Sequence, residues 1–311
     1  MMKQRVLGQN LTVSAIGYSL RSFVDKKGTI DAVAAVPQVQ SAVQQGYTFF
    51  DAADGPDVPE QERIIGRALH DVRGQVIIAT SSQRQDGELI DSIDALRQSV
   101  DDSLKRLQTT WIDLFYVRHV ASRLLPEDIA GLMKDLMEAG KIRHWGLMNS
   151  SPSYIERAQS VCPITAVATP FSMMARWNED SFILLKRLHI GLVAYDPLSL
   201  GGNSRGYLGI EEYDKKISFR LNMMKFTKSG TAQERALVKL IHTLSAEKNV
   251  TPGAIALAWV LRKKPWIVPV QSAKNDAELK ETAQTTDVTL SAEDMDKFAI
   301  HLGASTFDVT V

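Results

Sequence analysis

Residues 91–149 read DSIDALRQSVDDSLKRLQTTWIDLFYVRHVASRLLPEDIAGLMKDLMEAGKIRHWGLMN. Asp91–Leu107 sets Ile93, Leu96, Val100, Leu104 and Leu107 at spacings of three and four, the period of a helix with one apolar stripe. Ile112–His119 then gives a short run rich in Ile, Phe, Tyr and Val, as a strand covered on both faces requires. Pro126–Ala139 returns to the helical period with Ile129, Leu132, Met133 and Leu136, and Gly140 closes it as a C-terminal cap. Arg143–Asn149 is strand again. Strands separated by helices long enough to cross over predict a parallel sheet.

The same alternation extends in both directions. Further strands are predicted at Ser14–Leu20, Tyr47–Ala53, Gln75–Ser81, Thr165–Phe171, Gly191–Pro197 and Trp266–Ser272, which brings the total to eight. Pro152 and Pro252 sit where helices begin, each behind a Ser or Thr able to cap. Eight β-α units predict a closed (β/α)8 barrel, with residues 1–311 as one domain and the working pocket at the C-terminal ends of the strands. An open doubly wound sheet is the competitor, but no Gly-x-Gly-x-x-Gly follows a first strand. The nearest stretch, Gly201-Gly202-Asn203-Ser204-Arg205-Gly206, has the wrong spacing and reads as a loop. Gln4–Gly8 and Leu11–Ser14 flank Gln9-Asn10 as an N-terminal hairpin that plugs the barrel's bottom. Leu198–Thr231, after the seventh strand, is a long mixed segment of the kind used as a lid or binding loop.

Composition narrows the partners. Lysine plus arginine equals aspartate plus glutamate at 36 each, so no broad basic field is available for nucleic acid or an anionic membrane. No apolar run reaches the length of a membrane span, and none resembles a signal peptide behind Met1. The single cysteine, Cys162, forms no intrachain disulfide and reads as a small apolar residue ending a helix, so a cytoplasmic location is expected. His119, His144, His189 and His242 show no helical pairing, and no metal site is expected.

Several segments together carry a family resemblance. They are Val13-Ser14-Ala15-Ile16-Gly17, Gly46-Tyr47-Thr48-Phe49-Phe50-Asp51, Gly66-Arg67-Ala68-Leu69, Ser103–Thr109, Ile112-Asp113-Leu114, Gly140-Lys141-Ile142-Arg143 and Ala194–Leu198. Over nearly its whole length the chain resembles the aldo-keto reductases. That resemblance implies a (β/α)8 barrel binding NADPH at the strand C-termini and reducing aldehydes or ketones. The implied chemistry needs a tyrosine to protonate the carbonyl oxygen and a lysine to lower that tyrosine's pKa. It also needs an aspartate to pair with the lysine and a histidine to orient the carbonyl.

At the matching positions only the aspartate remains, as Asp51. Pro56 stands in the tyrosine position, Ser81 in the lysine position and Arg118 in the histidine position. His119 lies one residue past the family's histidine, and strand side chains alternate, so it faces away from the mouth unless a bulge shifts the register. Removing one general acid commonly costs about 100- to 10,000-fold in rate, so loss of ordinary carbonyl reduction is expected.

For the cofactor, the resemblance assigns Asn149 to the nicotinamide amide, Tyr195 to ring stacking and Lys274 to the adenosine phosphate. Against it, Met148 and Ala168 replace a serine and a glutamine, Thr282 an asparagine, and Glu278 an arginine. NADPH binding is therefore in doubt. Asp51, Asp54, Asp57, Ser81, Arg118, Asn149, Tyr195 and Arg205 are the polar groups able to converge at the mouth. Asp51 with Arg118 reads first as an ion pair filling the vacated space. The alternative is that Arg118 grips an anionic small-molecule ligand while Asp51 or Asp54 acts as base. Trp145 and Trp177 line the mouth or fill the core. Three functions stay open: a reductase-lineage enzyme with another proton donor such as His119, a non-redox lyase, isomerase or cyclase using Asp51 and Arg118, and a catalytically silent binding or regulatory protein.

Overall fold

A computed structural model describes residues 2–25, 28–53, 57–83, 88–118, 120–176, 178–198 and 232–302. An antiparallel hairpin of Gln4–Val6 (β1) and Thr12–Ser14 (β2) comes first. The barrel strands follow as Gly17–Ser19 (β3), Phe49–Asp51 (β4), Ile77–Ser81 (β5) and Ile112–Val117 (β6). The circuit continues with Ile142–Met148 (β7), Ala166–Pro170 (β8), Gly191–Tyr195 (β9) and Ile267–Gln271 (β10). Every neighbouring pair is parallel, and β10 closes the circuit against β3 through Val270↔Gly17 and Gln271↔Tyr18. The (β/α)8 barrel expected from the alternation is the observed fold.

Five predicted strands begin later than expected, at Gly17, Phe49, Ile77, Ala166 and Ile267, and for two of them the reason is local. Ser14 is spent pairing with Gln4 in the hairpin, and Gln75 ends a 3-10 turn that starts at His70. The helices start where their capping chemistry dictates. Ser92, Ser151 and Thr251 each accept a hydrogen bond from the amide three residues on, and Pro152 and Pro252 occupy the first turn. Past Pro126–Glu138, Gly140 takes φ +72°, as a helix-ending glycine does.

Strand alternation sorts side chains into two cores. Outward residues such as Phe50, Ile78, Phe115 and Leu147 pack under the helices. Inward residues, including Phe49, Ala79, Leu114, Tyr116, Met148, Ala166, Ala168, Val193, Tyr195 and Val268, fill the barrel. Leu7, Leu11 and Val13 join this inner cluster, so the hairpin does plug the floor. Arg5 fastens it by donating to the carbonyls of Leu261 and Lys264 at the end of helix Pro252–Lys263 and of Ile267 at the start of β10. Burial lowers its guanidinium to about 10.

Trp145 does not line the mouth. Period two makes it outward because Gly146 and Met148 flank the inward face, and its indole is buried with Nε1 donating to the Pro163 carbonyl at 2.9 Å. Cys162 is buried, and burial pushes its thiol pKa up, which suits a structural role. Among the described residues no helix is long and apolar enough to cross a membrane. Of Leu198–Thr231, all but Leu198 lies outside the described residues, and with it Arg205 and Gly201–Gly206.

Candidate active site

The site is set by the last inward residue of each strand. On β4 that residue is Asp51, fully buried. Its Oδ1 accepts from the Ala53 amide at 2.7 Å, a turn that locks the carboxylate at the strand's end. Across the barrel, Tyr195 ends β9 and its hydroxyl is shared between Oδ2 at 3.1 Å and Oδ1 at 3.3 Å. The aspartate that would pair with a lysine is thus held by a phenol.

The expected Asp51–Arg118 ion pair does not form among the described residues. Arg118 instead runs back from the end of β6, past β5, and its Nη1 donates to the Ala53 carbonyl at 3.1 Å. Its backbone is fixed by Ser82, whose hydroxyl accepts from the Arg118 amide at 2.8 Å and donates to the Arg118 carbonyl at 2.7 Å. Pairing of β6 with β7 keeps one register from Ile112↔Ile142 to Val117↔Leu147, so no bulge rescues the family histidine within the strand. Arg118 therefore faces the mouth. His119, Asp54, Pro56 and Trp177 lie outside the described residues.

Ser81 ends β5 and is wholly buried, yet among the described residues its Oγ has no hydrogen-bond partner. Behind it, Thr80 points outward and donates to Glu62 at 2.7 Å, and Arg106 also bonds Glu62, so the strand end is braced from the helix side. Sequence reasoning passed over Tyr116. It pairs in register with Ser81, two residues before Arg118 and on the same face. Its ring lies across Gly146, where a Cβ would come within 2.9 Å of Cδ1, so β7 must be bare at this level. Among the described residues the Tyr116 phenol approaches the Tyr195 hydroxyl but makes no hydrogen bond of good geometry. Burial first, and then the negative charge of Asp51, push its pKa well up, so it stays protonated. The available signal was the period of two counted back from Arg118.

Other positions sit further out. Asn149 is exposed just past β7 with φ +50°, its amide donating to Ala168. Asp196, φ +49°, pairs with Arg21 at 3.4 Å and links the loops after β9 and β3. Non-glycine residues at positive φ are uncommon, and these two mark the mouth as specially shaped backbone. Asp57 caps the helix Val58–Leu69 through the Glu60 amide, which leaves it a structural task. Lys274 is exposed, and its backbone amide donates to Glu278 at 2.8 Å. Asn275 Nδ2 also donates to Glu278, at 3.1 Å, so the glutamate closes the start of helix Asp276–Gln284.

A barrel with polar groups gathered at the strand C-termini belongs to the class in which ligands and chemistry are placed at that face. The family model of the aldo/keto reductase family matches residues 15–302, and the chain belongs to that family. It is similar to the probable aldo-keto reductase 1 of Glycine max, 29% identical over 299 residues that cover 92% of this chain and 85% of the relative. It is also 30% identical over 294 residues to the aldo-keto reductase yakc of Schizosaccharomyces pombe, whose name carries NADP(+), covering 91% of this chain and 86% of that protein. Among solved structures, a thermostable aldo-keto reductase, Tm1743, in complex with epalrestat matches with a TM-score of 0.76 at 23% identity. That match covers 96% of this chain and 100% of the other.

Proposed function

We propose that this chain is a divergent member of an oxidoreductase family in which ordinary NADPH-dependent carbonyl reduction has been lost, and whose mouth serves a small molecule instead. One observation carries the reading: Asp51, the retained member of the family's four groups, accepts from Tyr195. Ser81 offers no ammonium to tune an acid, and Pro56 has no ionisable proton. Arg118 brings a guanidinium to the mouth, a group that makes a poor proton donor to a carbonyl.

NADPH is the cofactor the family implies, and the residues present do not fit it. At the nicotinamide end Ala168 and Met148 belong to the apolar filling of the barrel, and Tyr195 is fully covered, with no open ring face for stacking. At the adenosine end the Glu278 carboxylate takes the Lys274 amide, a donor that a phosphate would use, and repels a 2′-phosphate. Asn149 and Lys274 alone remain suited to it.

A non-redox enzyme using Asp51 as base is the weaker alternative, since both carboxylate oxygens already accept hydrogen bonds. A catalytically silent binding protein is compatible with the same geometry. The one-domain organisation over residues 1–311 and a cytoplasmic location are part of this reading.

The test is restoration. The triple variant Pro56→Tyr, Ser81→Lys, Arg118→His is assayed beside the unaltered chain for NADPH oxidation with a simple aldehyde. An inactive parent is expected, whether or not the variant gains activity. An active parent overturns the reading.

A further inference from the structure

We propose that Ser81, Tyr116 and Arg118 form an oxyanion site of the chain's own making, which holds the carboxylate of a small-molecule ligand without a nucleotide. The proposal rests on the reading that the family's reduction chemistry has been given up.

The carrying observation is a set of unmet hydrogen bonds. Among the described residues Ser81 Oγ and Arg118 Nε are shielded from water without a hydrogen-bond partner, and the Tyr116 phenol beside them approaches the Tyr195 hydroxyl without good hydrogen-bond geometry. Buried polar groups are nearly always paired, because leaving one unpaired forfeits its hydration with nothing in return. These groups fall on two adjacent strand ends. Ser81 and Tyr116 are partners in register, and Arg118 is the next inward residue after Tyr116.

Their chemistry selects the occupant. All three offer hydrogens. Tyr116 remains a phenol, since burial and the charge of Asp51 both oppose its ionisation. Arg118 has committed Nη1 to Ala53, which leaves the Nε–Nη2 edge, the edge that grips a planar carboxylate with two parallel bonds. Asp51 would repel an anion, but its oxygens are already bonded by Tyr195 and the Ala53 amide, and the Arg118 charge opposes it. A singly charged carboxylate tolerates that neighbour better than a phosphate carrying more charge. Because the donors are shielded, the ligand must displace neighbouring atoms as it enters.

The experiment is thermal unfolding with sodium propionate, inorganic phosphate, or sodium chloride at matched ionic strength, with no nucleotide present. Propionate is expected to raise the melting temperature of the parent saturably above the chloride control. Arg118→Gln is expected to abolish that rise. Ser81→Ala should melt higher than the parent without ligand, since it deletes an unpaired buried group, and both Ser81→Ala and Tyr116→Phe should bind propionate at least about tenfold more weakly. The proposal is overturned by the absence of a propionate-specific rise, by an undiminished rise in all three variants, or by a lowered melting temperature of Ser81→Ala. A larger rise with phosphate than with propionate overturns the carboxylate assignment. No nucleotide enters this assay, so its failure leaves the loss of carbonyl reduction standing.

Discussion

Tyr195 and Asp51, on strands β9 and β4 at opposite sides of the barrel, are joined by a phenol hydroxyl shared between both carboxylate oxygens at 3.1 and 3.3 Å. The contact is buried, and it replaces the lysine partner that the family resemblance implies. A hydrogen bond to a buried charged group contributes about 1.5–3 kcal/mol. Tyr195→Phe should therefore lower unfolding stability by about that amount in urea titration, with an unchanged m-value. A neutral substitution would mean that the carboxylate is held by its other contacts alone.

The helices Val58–Leu69 and Ile93–Leu107 meet so closely at Gly66 that an added Cβ would lie 2.4 Å from the Leu107 carbonyl oxygen. The obstruction is backbone, which cannot swing aside. Gly66→Ala is expected to cost about 1–3 kcal/mol. Gly74→Ala, with nothing within 4 Å, serves as the control and should change little. Equal effects would contradict the close approach.

His144 lies on β7 with Nδ1 3.2 Å from the Thr165 hydroxyl, and burial lowers its pKa from the ordinary 6.5. As pH falls below 6.5 the unfolded chain takes up a proton that the folded chain still refuses, so stability is lost on acidification. His144→Gln should flatten this part of the stability–pH curve. Identical slopes for the two proteins would refute the assignment.

Glu278 makes a prediction about the nucleotide. Tryptophan fluorescence of the parent should show no saturable quenching by millimolar NADPH. Glu278→Arg replaces a repulsive carboxylate with an attractive cation and should improve NADPH affinity by about tenfold, roughly 1.4 kcal/mol. Saturable quenching of the parent would show that the adenosine end tolerates the glutamate.

Much of this architecture was legible because it depends on period and capping, which are local. Ile93, Leu96, Val100 and Leu107 announce their helix, and Ser151 and Thr251, before Pro152 and Pro252, announce helix starts, whereas the cap at Ser92 was overrun by a predicted start at Asp91. The strand ends were overrun by one or two residues, since apolar character continues past the last paired residue, as at Ala53 and Phe171. At the site, alternation correctly turned Arg118 inward, and the same rule applied backwards would have found Tyr116 and turned Trp145 out. Alternation does not say how far a side chain reaches. That Arg118 passes Asp51 for the Ala53 carbonyl, and that Tyr195 crosses the barrel, depend on bare neighbours such as Gly146, Ala79 and Ala168.

Hydride transfer itself offers the most direct test of the central claim. NADPH carrying deuterium at the transferable C4 position is incubated with the protein and a simple aldehyde, and the alcohol is analysed by mass spectrometry. With Pro56, Ser81 and Arg118 where tyrosine, lysine and histidine would stand, no deuterated alcohol above the protein-free control is predicted. Deuterated alcohol formed over many turnovers, in step with NADPH consumption, would contradict the account.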